Sequence, residues 1–369
     1  APRDAAWPRP SSRNPLVMTG TALPPNLLLA AKLLALVFIL RGNVGRWFSE
    51  PYLPFLPALD QLGAPGRFQL GLQLAFVAAA LCLFLNWRVR TASLVLGSAV
   101  LLGLLASRAS YENSKLYMGL FYLVTALYEP RAGVSLLRYQ LVVVYFGATL
   151  NKLLEPDWRS GAFVLDWLPT YVPSYPWLAA QLPGNLLSAA LSWTAILTEL
   201  VLIPLLLFKR LVPAGLVVIV AYHTGIVLLT LGEAFDIFWS ALCLSCVALM
   251  QWPEGVTVRY TPGSRWHRLA RQVLGRVDLE GRYTWLPQHA GRLQTELGRG
   301  VPHAGAAAFV DLLLYNPVVY VAFFLVTPRI GQAIPLVLPL LAVIVYDAGR
   351  RWWRGARAHP LRLVPRKST

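Results

Sequence analysis

The stretch Arg138-Tyr139-Gln140-Leu141-Val142-Val143-Val144-Tyr145-Phe146-Gly147-Ala148-Thr149-Leu150-Asn151-Lys152-Leu153-Leu154-Glu155-Pro156-Asp157-Trp158-Arg159-Ser160-Gly161 decides how this chain is read. It is a strongly apolar run with a lysine near its end, closed by a proline stop and an acidic, aromatic turn. A cation at the lip of a membrane helix can be an interfacial anchor whose stem snorkels to the surface. An ionisable group inside a span is equally a functional hypothesis. Residue pattern leaves both open for Lys152.

Composition assigns the class. The chain is 56% hydrophobic and only 14% charged, with a mean hydropathy of +0.54. One soluble core cannot hide that much apolar surface, so the chain reads as a membrane protein. The 33 basic residues against 17 acidic ones give a net charge of +16. The surplus sits in short links between apolar runs, in one polar insert and in the C-terminal tail, which reads as membrane topology and lipid contact and not as nucleic-acid binding.

A helix needs about 20 apolar residues to cross a bilayer. Runs approaching that length recur at Leu23 to Leu40, Phe68 to Leu85, Ala92 to Leu105, Leu116 to Tyr128, Tyr139 to Leu153, Leu186 to Phe208, Val212 to Leu231 and Ala234 to Met250, with Gly305 to Val326 and Ile330 to Val345 following. The short links among the second, third and fourth imply antiparallel hairpins. None alternates with period two as a membrane barrel would. The expected fold is therefore all-α, a polytopic bundle of roughly 8–10 spans with a basic cytoplasmic insert.

Placing the N-terminus in the cytoplasm puts Arg88, Arg90, Arg131, Arg138, Lys209, Arg210 and the arginine-rich tail from Arg350 to Lys367 inside, as the positive-inside rule asks. Lys152 then lies at the outer end of the fifth helix. The division that follows is 1–22 as a cytoplasmic N-terminal segment, 23–251 as the membrane domain, 252–304 as the insert, 305–346 as a further membrane pair and 347–369 as a cytoplasmic tail. The insert, with Arg265, Arg268, Arg271 and Arg276, is expected to form short amphipathic helices resting on anionic lipid. Composition rich in Ala, Leu and Arg fits a high-GC bacterium and hence a plasma membrane.

On a helix Tyr145, Ala148 and Lys152 fall at i, i+3 and i+7, so a phenol, a small gap and an amine share one face. Pro156 ends the helix, Asp157 is suited to accept hydrogen bonds in the turn, and Gly161 permits a tight bend. A lysine amine kept from water can act as a base near neutral pH. Glu199 is the other acid within a span and needs a partner, with Lys152, His223 and Thr194 as candidates. His223 reads either as a hydrogen bond between helices or as a proton relay with Glu199. The outer loop, with Trp158, Trp167, Tyr171, Tyr175, Trp177 and several prolines, reads as a cap over the outer mouth or as interfacial anchors. Cys243 and Cys246 have the spacing of a redox pair, yet as small residues inside a span they read as helix packing. The histidines are too scattered for a metal site.

Arg138-x-Gln140, Tyr145-Phe146-x-Ala148, Lys152 and Asp157-Trp158-x-x-Gly161 together resemble the central signature of the HTTM superfamily, the membrane domain shared by vitamin K-dependent gamma-carboxylases and many bacterial proteins. The likeness continues to Glu199, to His223-Thr224-Gly225-Ile226, and to Gly232 and Phe235. The resemblance implies that Lys152 is the base that deprotonates a vitamin K hydroquinone, or the quinol of another quinone cofactor, at the extracytoplasmic face, after which oxygen converts the quinol to an epoxide. No metal is expected. Where the carboxylases carry an Asn-His pair ahead of the fourth span, the corresponding stretch here reads Tyr111-Glu112-Asn113-Ser114-Lys115, with Asn113 as the histidine's counterpart. Three readings follow: a gamma-carboxylase-like enzyme on a lipid-soluble quinol, with Lys152 as base, Tyr145 and Asn113 orienting and Glu199 with His223 as a buried polar pair; a maturation or export factor for a secreted peptide; and a non-enzymatic transporter or scaffold.

Overall fold

The computed structural model describes residues 21–47, 51–61, 65–130, 133–232, 236–250, 252–253, 255–278, 281–298 and 302–328. Arg131, Phe235, the run Ile330 to Val345 and the arginine-rich tail lie outside the described residues.

Each of the first eight apolar runs is a single helix. They are α1 (Pro25–Leu40), α4 (Pro65–Phe84), α5 (Val89–Leu105), α6 (Asn113–Ala126), α7 (Ser135–Leu154), α11 (Leu186–Leu207), α12 (Val212–Leu229) and α13 (Asp236–Leu249). Short helices α2 (Asn43–Trp47) and α3 (Pro57–Asp60) lie between α1 and α4. Among the described residues α4, α11 and α12 are long and apolar enough to cross a membrane, and a bent pair would make a fourth such span. The ninth run is that pair: it is not one straight helix but α15 (Ala306–Leu314) followed by Pro317–Pro328 at 82°. Pro317 cannot donate to the preceding turn, and Asn316 Oδ1 caps the new helix by accepting from Val318 N at 3.0 Å.

The core is built around α1. Its residues from Asn26 to Ala35 are buried without a break, the pattern of a helix apolar on every side and enclosed by its neighbours. Asn26 fixes its entry: Nδ2 donates to the carbonyls of Val247, Ala248 and Met250 at 3.3, 2.7 and 2.7 Å, which satisfies the free C-terminal carbonyls of α13. Tyr122 Oη donates to the Ala31 carbonyl at 3.1 Å, tying α6 to the same helix. The expected hairpins form: α5 packs against both α4 and α6. Arg90 closes the second of them, donating from Nε to the Ala126 carbonyl (3.0 Å) and from Nη2 to that of Tyr128 (2.6 Å).

The polar insert departs from the all-α expectation. Beyond one helix, α14 (Arg265–Arg276), it holds a four-stranded sheet in the order β2-β1-β3-β4, made of β1 (Val256–Tyr260), β2 (Tyr283–Pro287), β3 (Gln294–Leu297) and β4 (His303–Ala304). β1, α14 and β2 form a βαβ unit because β1 and β2 run parallel. Val256, Val258 and Tyr260 point into a small core while Arg259 points out, the period-two pattern of a strand with one buried face. Ala308 and Leu312 of α15 complete that core. Asp311 pins α15 to the sheet, accepting from Thr295 Oγ1 (2.5 Å) and pairing with His303 Nδ1 (2.8 Å).

Candidate functional site

α7 presents two faces. Leu137, Leu141, Tyr145 and Thr149 recur every fourth residue and are buried, whereas Tyr139, Val143, Phe146, Leu150 and Leu154 are exposed apolar positions that suit lipid. α11 is built the same way, burying Ser188, Ser192, Ile196, Glu199, Leu202 and Leu206. The chain through α7 and the turn after it runs antiparallel to α11, since Lys152 meets Glu199 while the later Arg159 meets the earlier Trp193, whose Nε1 donates to the Arg159 carbonyl at 3.1 Å.

At their crossing Lys152 Nζ donates to both carboxylate oxygens of Glu199, at 2.9 and 2.7 Å. The side chains are 14% and 7% exposed. The same ammonium lies over the Trp158 ring, 4.8 Å from its centroid. Of the three candidate partners for Glu199, the geometry selects Lys152. Mutual attraction over less than 3 Å offsets part of the cost of removing both groups from water.

The turn after α7 explains why Trp158 stands there. Pro156 opens the short helix α8 (Pro156–Ser160), with Asp157 in its first turn beside the free N–H groups. The Asp157 carbonyl oxygen, not its carboxylate, accepts from Ser160 Oγ at 3.3 Å. Gly161 follows with φ +82°, and a Cβ there would come within 2.3 Å of Ala189 N. No L side chain fits that approach, so glycine lets the backbone rest directly on α11. Beyond it α9 (Ala162–Trp167), a 3₁₀ turn (Leu168–Thr170) and α10 (Tyr175–Ala179) bury Val164, Leu168, Tyr175 and Ala179 as a cluster of their own. Trp158 stacks on Phe163 at 4.2 Å, and the row continues through Trp167 to Tyr171. The outer loop is thus an ordered helical cap with an aromatic row, and Tyr175 Oη joins it to Ser188 Oγ at 2.7 Å.

Tyr145 and Lys152 lie on the same side of α7 but serve different neighbours. Tyr145 Oη is 3.0 Å from His223 Nε2 on α12, so His223 joins helices through Tyr145 and not through Glu199. Gln140 Nε2 donates to the Tyr117 carbonyl at 3.0 Å, and Tyr117 Oη donates to Ser245 Oγ at 2.7 Å. Arg138 is buried, with its guanidinium 5.0 Å from the Tyr139 ring centroid. Asn113 stands exposed at the first turn of α6. Cys243 and Cys246 are buried thiols within α13.

Beside the ion pair an apolar groove of about 450 Å³ opens between α7 and α11, lined by Phe146, Thr149, Leu150, Leu153, Leu200, Val201, Ile203 and Pro204. Two polar features interrupt it. Thr149 is 3% exposed and its hydroxyl has no hydrogen-bond partner. Pro204 carries no N–H to return to the Leu200 carbonyl one turn earlier. Thr149 sits one turn before Lys152, and sequence reasoning missed it because a threonine in an apolar run ordinarily bonds back to its own helix. Lys32, buried at 5% exposure in mid-α1, was also missed, although one charge inside an apolar run was the available signal.

Residues 128–247 match the family model described as HTTM domain. No curated protein and no solved structure matches the chain. The matched segment runs from just after α6 through most of α13 and contains Tyr145, Lys152, Glu199 and His223, whereas Asn113 precedes it. With its apolar helices, this membrane protein carries an HTTM domain over residues 128–247.

Proposed function

We propose that this protein is a membrane enzyme acting on a lipid-soluble quinol, with Lys152 as the base and Glu199 as the group that takes up the lysine's own proton. The observation that carries the reading is the Lys152–Glu199 pair, held at 2.7 Å and nearly dry, next to an apolar groove open on its lipid side. Its dimensions suit a ring or the head of an isoprenoid chain.

Lys152 is charged in the ion pair, so it must lose a proton before it can accept one. Moving one proton from Nζ to Glu199 Oε2 turns the pair into a neutral amine and a neutral carboxylic acid without net charge change. In a site that excludes water, that exchange replaces two charges by two dipoles. The amine then accepts a proton at Nζ, which restores the ammonium, while Trp158 lies against it and limits access by water. A bound quinol would supply an ionisable phenolic hydroxyl and, once ionised, a ring that reacts with oxygen.

Purified protein supplied with reduced vitamin K under oxygen is expected to yield quinone epoxide, scored by chromatography. Lys152→Met and Lys152→Arg should each lower the rate by about 10²- to 10⁴-fold, the usual contribution of a positioned base. The arginine variant is the sharper one, because a guanidinium keeps the ion pair but does not deprotonate. Full activity in Lys152→Arg, or no epoxide from the wild type, refutes the assignment.

A further inference from the structure

α14 carries more apolar surface than its fold uses. Leu274 faces the sheet and is buried. A second apolar strip, Trp266, Leu269 and Val273, recurs at i, i+3 and i+7 and is exposed by 79%, 48% and 51%. Arg265, Arg268 and Arg276 border that strip on the side away from the sheet, and the helix contains no acid. Arg271 is set apart: it turns back to Tyr260, donating to its hydroxyl and stacking on its ring.

Two facts say what covers the strip. The insert is tied close to the bundle at both ends: β1 starts at Val256, seven positions after α13 ends at Leu249, and α15 leads into Pro317–Pro328. Extended chain of that length reaches about 25 Å at most. Trp252 in the first connection stacks at 5.8 Å on Tyr320 of the Pro317–Pro328 helix and ties the two ends together. A helix kept at that height, with an aromatic and aliphatic strip beside cations, matches the headgroup boundary of a bilayer.

We propose that α14 is an interfacial anchor that binds anionic phospholipid in the protein's own membrane, with Trp266, Leu269 and Val273 in the acyl boundary and Arg265, Arg268 and Arg276 on the phosphates. The surface partition is worth about fivefold per arginine. The sheet holds the helix from behind, so it docks as a preformed element and loses little entropy on contact.

Hydrogen exchange of the full chain in nanodiscs tests this. The amides of 265–276 are expected to exchange at least fivefold more slowly in discs containing 30% phosphatidylglycerol than in pure phosphatidylcholine. Arg265→Gln with Arg268→Gln and Arg276→Gln should erase the difference while leaving the sheet amides protected, which separates lipid contact from folding. A bimane at Leu269→Cys should be quenched by brominated acyl chains. Equal exchange in neutral and anionic discs, or slowing by added RNA in detergent without slowing by anionic lipid, overturns the proposal.

Discussion

Replacing Glu199 by leucine leaves the Lys152 ammonium without its counter-charge, and replacing Lys152 by methionine does the same to the Glu199 carboxylate. Their side chains are 14% and 7% exposed, so little solvent is at hand to screen either one. Breaking a buried pair costs about 3–5 kcal/mol. Lys152 ends α7 and can turn its stem toward the headgroups, which puts Glu199→Leu near the bottom of that range, about 3 kcal/mol. Lys152→Met strands a more deeply enclosed acid and should cost at least about 3 kcal/mol. Removing both charges together leaves two apolar side chains of similar volume, and the double variant is expected within about 1 kcal/mol of wild type. Unfolding equilibria of the four proteins in mixed micelles, titrated with a denaturing detergent, give the cycle directly. A double variant as unstable as the sum of the singles would refute the pairing, and with it the proton exchange on which the proposed chemistry depends.

Other outcomes follow from single contacts. Gly161→Ala must move the backbone away from Ala189 N, 2.3 Å from the added carbon, and adopt a left-handed conformation that alone costs about 1 kcal/mol, so a clear loss of thermal stability is expected; an unchanged melt would remove the role assigned to that close approach. Asn26→Ala strips the side-chain donors from three carbonyls of α13 and should destabilise the bundle by about 2 kcal/mol in the same micelle titration. Burial, reinforced by Asp278, raises the Tyr283 hydroxyl above its ordinary value of 10.0, and that hydroxyl donates to the Leu312 carbonyl at 2.6 Å. A raised folded value means this contribution is complete below about pH 10 and declines as alkali ionises the unfolded chain, so the sheet domain should lose stability above that pH and Tyr283→Phe should flatten the decline.

Much of the bundle was legible because lipid leaves the chain few options: each of the first eight apolar runs is a helix, and the short links among the second, third and fourth force hairpins. The pairing of Lys152 with Glu199 was within reach, since a buried acid needs a partner and few cations lie in the spans. Two features were not. The alternation of Val256, Val258 and Tyr260 spans only five residues amid arginines, too short to compete with the amphipathic signal of α14, so the sheet was read as helix. Nor can sequence separation reveal that Trp158 returns over Lys152, because that depends on Gly161 resting on α11.

The enclosure of α1 has a consequence for biogenesis. Asn26 waits for acceptors 221 to 224 positions downstream. At ribosomal speeds of about 5–20 residues per second, that delay is roughly 10–45 s. For that interval α1 has no native neighbour on one flank, and something other than the finished protein, lipid or an insertion chaperone, must occupy the space that α13 will claim.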